Sequence, residues 1–217
     1  MQHWWHQDGS GVRTHISDDL LFLPYVTAVY VHSTGDTAVL DVQIPWLKGH
    51  VLSEEEPERY FTPEVTATTA TLREHCLKAI LRTEQGPHGL PMMGSGDWND
   101  GLNRVGGESV WLGMFLCEVL RRFAPLCPPD MRKPLEEQRA QLLMRLDKYA
   151  WDGGWYLRGW YEDGTPLGSS QSEECRIDVL PQSWAVLCGV SRDRCQPAME
   201  NVWRMLYQKE MGLLQLF

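Results

Sequence analysis

The chain has 217 residues, 43% hydrophobic and 23% charged, a composition that excludes disorder and suffices for one sizeable core or two small ones. Its 29 acidic against 20 basic residues give a formal net charge of -9. That charge, with no Lys/Arg run, argues against nucleic acid as a partner. No stretch approaches the roughly 18 apolar residues of a membrane span, and the start MQHWWHQDGSG lacks the basic and apolar regions of a secretory signal, so a soluble, cytoplasmic segment without membrane contact is expected.

In chain order, DDLLFLPYVTAVYVHS (18–33) repeats apolar residues at helical spacing between Ser17 or Asp18 as cap and Gly35 as stop. Residues 36–63, with prolines at 45, 57 and 63, read as a loop crossing the surface. Thr62 as cap and Pro63 at the first helical position predict a helix through EVTATTATLREHCLKAILRT, ending at QGPHG. A Gly- and Asp-rich loop fills 94–107, then Glu108 to Phe123 form a core helix apolar on most faces. PPDMRKPLEEQRAQLLMRLDKYAW predicts an amphipathic helix reaching Gly153, and WYLRGWYEDGTPLGS a short hairpin turning at EDG. LPQSWAVLCG and SRDRCQPAMENVWRMLYQK close the chain as two more helices. About six helices separated by elaborate loops, with no strand–helix alternation, predict an all-α fold of the α/α toroid type, its site built from loops at one end. The six cysteines, none in a CxxC pair, are expected to be reduced structural thiols.

Ten tryptophans are more unusual than the charge. Trp4, Trp5, Trp98, Trp155 and Trp160 lie in predicted loops, where indoles stack on the C–H faces of sugar rings if they do not enter the core. In GSGDWNDG, Trp98 and Asp97 flank Asp100, and desolvation by an indole or a neighbouring negative charge raises a carboxyl pKa, as a proton donor requires. Gly94, Gly96 and Gly101 permit unusual backbone angles close to a ligand. The competing reading is an Asp/Asn turn whose side chains, Asn99 included, cap their own backbone.

In RTHISDD, Arg13 and Asp19 have the donors and acceptors to hold sugar hydroxyls, although Ser17 and Asp18 equally suit a simple helix cap. His3 and His6 stand three apart, a metal-binding spacing on a helix, but lack a third ligand, so no metal site is expected. Glu162, Asp163, Glu173, Glu174 and Asp178 read as a solvated acidic surface. GxSxG, P-loop, HExxH and strand-linked GxGxxG signatures are absent from the sequence.

Three stretches, HGLPMMGSGDWNDGLNRVGGESVWLG, QHWWHQDGSGVRTHISDDLLFLPY and DGTPLGSSQSEECRIDVLPQSWAVLCG, resemble the catalytic domain of glycoside hydrolase family 94, in order and over nearly the whole chain. HWWH joined to RTHISDD is most similar to the β-1,2-glucan branch, which includes the C-terminal domain of cyclic β-1,2-glucan synthases. The resemblance implies a partial (α/α)6 barrel over 1–217 with roughly half of the helices, lacking the family's N-terminal β-sandwich and later barrel helices. It implies inverting phosphorolysis of β-linked gluco-oligosaccharides to an α-sugar 1-phosphate, with inorganic phosphate as co-substrate and no cofactor.

By position in the motifs, the resemblance implies that Asp100 is the general acid and Trp98 a wall of the donor-sugar subsite. It likewise implies that Arg13 and Asp19 bind that sugar's hydroxyls, that Asn99 belongs to the substrate-binding loop, and that Asp97 orients the loop or keeps Asp100 protonated. The family's phosphate-holding residues have no match here. With the apolar ending MGLLQLF, this predicts a fragment inactive by itself, and a homodimer is the expected state of the full-length protein. An inverting hydrolase, a noncatalytic sugar-binding module and the tail of a membrane-bound cyclic glucan synthase are the competing readings.

Overall fold

The computed structural model describes residues 2–217. Strands β1 (Trp4–Trp5) and β2 (Gly11–Thr14) lead into helix α1 (Asp19–Thr34). Strands β3 (Gln43–Lys48), β4 (Glu58–Phe61) and β5 (Glu64–Thr71) precede α2 (Leu72–Leu81), and β6 (Met92–Gly94) and β7 (Gly106–Ser109) precede α3 (Val110–Phe123). After α4 (Pro129–Tyr149) come β8 (Gly159–Tyr161), β9 (Pro166–Leu167), α5 (Val179–Cys188), α6 (Arg192–Leu206), β10 (Tyr207–Gln208) and β11 (Leu213–Leu214).

The six expected helices are present among the described residues, but all-α is corrected: short antiparallel strands form sheets of order β1-β2-β4, β3-β5, β6-β7-β8-β9 and β10-β11. The largest departure lies at 36–71. Alternating β-branched residues in EVTATTAT favour an extended chain, and β5 pairs with β3 rather than opening a helix. The true start of α2 is Thr71, whose hydroxyl accepts from Glu74 N while the Glu74 carboxylate accepts from Thr71 N, a reciprocal cap that overrides Thr62–Pro63. Pro45 sits next to a bulge in β3, which is how a proline is accommodated in the expected loop that proves to be a strand.

Smaller corrections have equally local causes. Helix α3 begins at Val110, not Glu108, because 106–109 are held between β6 and β8 and Ser109 caps the helix, its hydroxyl accepting from Leu112 N at 3.0 Å. Helix α4 stops at Tyr149, short of Gly153, as the chain turns so that Trp151 bridges to Tyr156. Neither Ser17 nor Asp18 caps α1: Asp18 holds the cap position without a side-chain bond. The EDG hairpin stands as expected, with Gly164 at φ 84° and the Thr165 amide donating to Asp163.

Helix α3 is the centre of the core. Val110 to Leu120 are buried on every face, and α1, α4 and α5 pack around it. Phe22, Tyr25, Trp111 and Trp184 surround Phe115 at ring separations of 5.0 to 5.5 Å. Trp155 and Trp160, expected on loops, are only 7% exposed. Trp155, on a loop as expected, is nonetheless buried with Ile177, Ala198, Val202 and Leu206 while its Nε1 donates to the carbonyls of Gly168 and Arg176; Trp160, in β8, stacks on His88 at 4.4 Å. All six cysteines are free thiols, four of them buried. Val186, Leu187 and Trp203 stand exposed on α5 and α6. No helix of the described residues is long and apolar enough to cross a membrane.

Candidate functional site

Two segments about 80 residues apart in sequence are joined by the backbone. Ile16 bridges to Gly94, and Ser17 donates from its amide (3.0 Å) and its hydroxyl (3.1 Å) to the Gly96 carbonyl. Glycine is required at 94, where φ is 62° and a Cβ would lie 3.0 Å from the His15 carbonyl oxygen. RTHISDD and GSGDWNDG thus form one surface.

Asp97 points inward from that loop and is fully buried. Its carboxylate pairs with both terminal nitrogens of the equally buried Arg158, takes the Ser109 hydroxyl at 2.6 Å and accepts from Asn99 N at 3.2 Å. Arg158 Nε lies 3.1 Å from Asp178 Oδ2, close enough for attraction though not aligned for a hydrogen bond. Asp178 also caps α5, accepting from Leu180 N at 2.8 Å. The expectation that Asp178 belongs to a solvated acidic surface is therefore corrected: it is buried against the guanidinium, whereas Glu162, Asp163, Glu173 and Glu174 are exposed. Ser109 both caps α3 and holds Asp97, so the loop is fastened to two core helices.

With Asp97 locked inside, the following residues are carried outward. Trp98 is 51% exposed and the Asp100 side chain 67% exposed. Asn99 is the turn-former, its side-chain oxygen accepting from Gly101 N at 3.0 Å. Asp100 accepts no hydrogen bond from its own loop among the described residues, leaving its carboxyl free for another partner.

Arg13 projects from β2 over the Phe61 ring and donates to the His50 carbonyl. Asp19, in the first turn of α1, accepts from the Thr14 hydroxyl at 3.2 Å. Arg13 and Asp19 line one cleft of about 650 Å3 with Thr14, Lys48, Arg82 and Glu84, whereas Trp98 and Asp100 do not line it. The link between the two groups is His3, whose Nδ1 lies 2.9 Å from Asp19 Oδ1 and whose Nε2 lies 4.0 Å from Asp100 Oδ2. In the sequence, His3 and His6 have the spacing of a helical metal pair but no third ligand. The segment is instead extended, so residues three apart point to opposite sides, and His6 packs edge-on against Trp4 while His3 turns to the carboxylates.

A second residue passed over is Asp18, read only as a cap. It is buried, and desolvation, reinforced by the charges of Asp19 and Asp97, pushes its carboxyl up to about 7. Burial also raises Asp19, against the opposing hydrogen bond from His3. A carboxyl whose folded pKa is raised favours folding while protonated, below the unfolded value of 3.8, and that contribution is lost as pH rises through about 7. Asp18→Asn is accordingly expected to leave stability unchanged near pH 4 and to raise it at pH 8 by about 1–3 kcal/mol relative to the parent. Urea unfolding at both pH values measures this, and parallel pH profiles for the two proteins would refute it.

A guanidinium and a carboxylate in an open polar cleft, beside an exposed indole and an exposed carboxyl, are the groups with which a helical carbohydrate-active enzyme would grip a polyhydroxylated ring. The chain belongs to the glycosyl hydrolase 94 superfamily: the description of that family's catalytic domain matches residues 1–216. It is 41% identical over 231 residues to the cyclic beta-(1,2)-glucan synthase NdvB of Rhizobium meliloti (strain 1021), a match covering 100% of this chain and 8% of the synthase. It is 30% identical over 221 residues to a 3-O-beta-D-glucopyranosyl-beta-D-glucuronide phosphorylase of Paenibacillus borealis (93% of this chain, 26% of the enzyme). Over 207 residues it is 29% identical to an N,N'-diacetylchitobiose phosphorylase of Vibrio proteolyticus (91% of this chain, 24% of the enzyme). The chain thus spans about a quarter or less of the length of these relatives.

Proposed function

We propose that this chain is the acid-bearing portion of a catalytic domain that cleaves β-linked gluco-oligosaccharides by inverting phosphorolysis. The observation that carries the reading is the placement of Asp100, a carboxyl reaching solvent beside the exposed Trp98 on a loop fastened to the Arg13–Asp19 cleft. The names of the relatives, phosphorylases among them, support it.

In this reading Trp98 stacks on the donor sugar, and Arg13 and Asp19 hold its hydroxyls. Asp100 protonates the glycosidic oxygen as the bond to the anomeric carbon breaks, and an oxygen of inorganic phosphate forms the new bond from the opposite face, giving the α-sugar 1-phosphate. Phosphate arrives as an anion, so the second carboxylate that activates water in an inverting hydrolase is not needed. Asp97 acts through the loop, because both its oxygens are occupied by Arg158 and Ser109. The phosphate-holding groups lie in the rest of the domain, and the 217 residues alone are expected to be inactive.

The test is release of glucose 1-phosphate from sophorose, cellobiose or longer β-1,2-glucans plus phosphate, comparing this chain with a protein carrying the complete domain. Phosphate-independent release of free sugar would favour a hydrolase, and sugar binding without turnover a noncatalytic module. The 41% identity to a cyclic β-1,2-glucan synthase favours a second reading, a domain within such a synthase acting on β-1,2-linked chains. Turnover of sophorose and β-1,2-glucans to the exclusion of cellobiose would support it.

A further inference from the structure

We propose that His3 is a positioning residue that holds, at Nε2, the proton Asp100 delivers. The inference rests on the role assigned to Asp100 above, but its electrostatic basis does not. A general acid needs a proton at the moment the glycosidic bond breaks, and the loop that carries Asp100 gives its exposed carboxyl no hydrogen-bond partner, so the group placed to supply that proton lies outside the loop. His3 is the titratable side chain placed to do so: its Nε2 lies 4.0 Å from Asp100 Oδ2, an ion-pair separation that must close by about 1 Å for the proton to pass.

Its ring is fixed from the other side: Asp19 Oδ1, 2.9 Å from Nδ1, accepts the Nδ1 proton and leaves Nε2 as the nitrogen that faces Asp100. Three carboxylates face the imidazole, Asp18 and Asp19 from the start of α1 and Asp100 from the loop. Desolvation works against a charged ring, but the Asp19 hydrogen bond and the charges of Asp19 and Asp100, with a smaller share from Asp18 once that raised carboxyl ionises, outweigh it, and His3 is raised above the ordinary 6.5.

One proton shared by the pair can sit on the imidazole, leaving two opposite charges, or on the carboxyl, leaving two neutral groups. A sugar ring seated on Trp98 removes water from both partners, and a dry environment disfavours two separated charges relative to two neutral groups. The proton then leaves Nε2, its bonding electrons staying on the ring, and binds Asp100 Oδ2. From there it passes to the glycosidic oxygen. The proton that hydrogen phosphate loses after ester formation restores the pair. The same imidazole thus couples occupation of the Asp19 subsite to arming of the acid.

The first arm of the test is an NMR titration of the His3 ring in this chain, the signal assigned by its loss in His3→Gln. The midpoint of the parent is expected above 6.5, lowered by about half a pH unit or more in Asp100→Asn and retained in Asp100→Glu, which keeps the charge. A midpoint unmoved by Asp100→Asn overturns the proposal. In the second arm, His3→Gln in the complete domain should lower kcat for a β-linked disaccharide 10- to 100-fold with little change in KM, and spare turnover of β-glucosyl fluoride, whose leaving group needs no proton. Equal losses on both substrates would make His3 a shaper of the site only and also overturn it. Absence of phosphorolysis by the unmutated domain would sink the function and the delivery role together, whereas an unmoved titration beside an active domain sinks His3 alone.

Discussion

Arg158→Ala is expected to destabilise the fold by about 3–5 kcal/mol, the usual consequence of leaving a buried carboxylate without its cation. Asp97, fully enclosed, would lose both guanidinium contacts and keep only the Ser109 hydroxyl and the Asn99 amide. Asp178, already raised by desolvation, would lose the positive charge that opposes the rise. The cost is asymmetric. Asp97→Asn removes a charge but retains an acceptor for Ser109, so it should cost less than Arg158→Ala, although Arg158 then keeps only Asp178 beside it. Urea unfolding of the two variants at pH 7 gives the comparison, and a loss below about 1 kcal/mol for Arg158→Ala would mean that the pair does not fasten the loop. Because Asp97 and Trp98 are adjacent, indole fluorescence should report loosening of the loop in the variant before global unfolding.

Asp100→Asn, made in a protein that carries the complete domain, is expected to lower phosphorolysis of a β-linked disaccharide by 10²–10⁴-fold, the range over which a positioned acid assists a poor leaving group. Asparagine matches the carboxyl in shape and cannot donate a proton to the departing sugar oxygen. The side chain is exposed and makes no hydrogen bond within its loop, so stability should change by less than about 0.5 kcal/mol. The discriminating measurement is the substrate dependence. β-Glucosyl fluoride, which departs without protonation, should be turned over by the variant and phosphate at close to the parental rate. A uniform loss on both substrates would assign Asp100 to binding rather than to proton transfer.

Much of the helical frame was legible from local signals. The apolar spacing of 18–33, Gly35 after it, and the all-round apolar surface of 110–123 specify α1 and α3 with no reference to the rest of the chain. The strands were not legible, because β3, β4 and β5 owe their stability to pairing with segments distant in sequence, and EVTATTAT shows its period only once β3 lies beside it. The motif residues follow the same division. Gly94 and Gly96 announced an unusual backbone, and DWND announced two carboxylates around an indole, but one aspartate is buried and one exposed for a reason no local reading contains: Arg158 stands 61 residues away in sequence and takes Asp97 inward.

By itself, the sequence determined which helices form, that none among the described residues is long and apolar enough to cross a membrane, and the family to which the chain belongs, since these depend on spacing, capping and motif. Only the tertiary structure decided that Trp155, Trp160 and Asp178 are interior, that Asp97 is an anchor while Asp100 is free, and that His3 joins Asp19 to Asp100. The physical reason is that burial and ionisation are set by what surrounds a side chain, and here those surroundings come from residues tens of positions away.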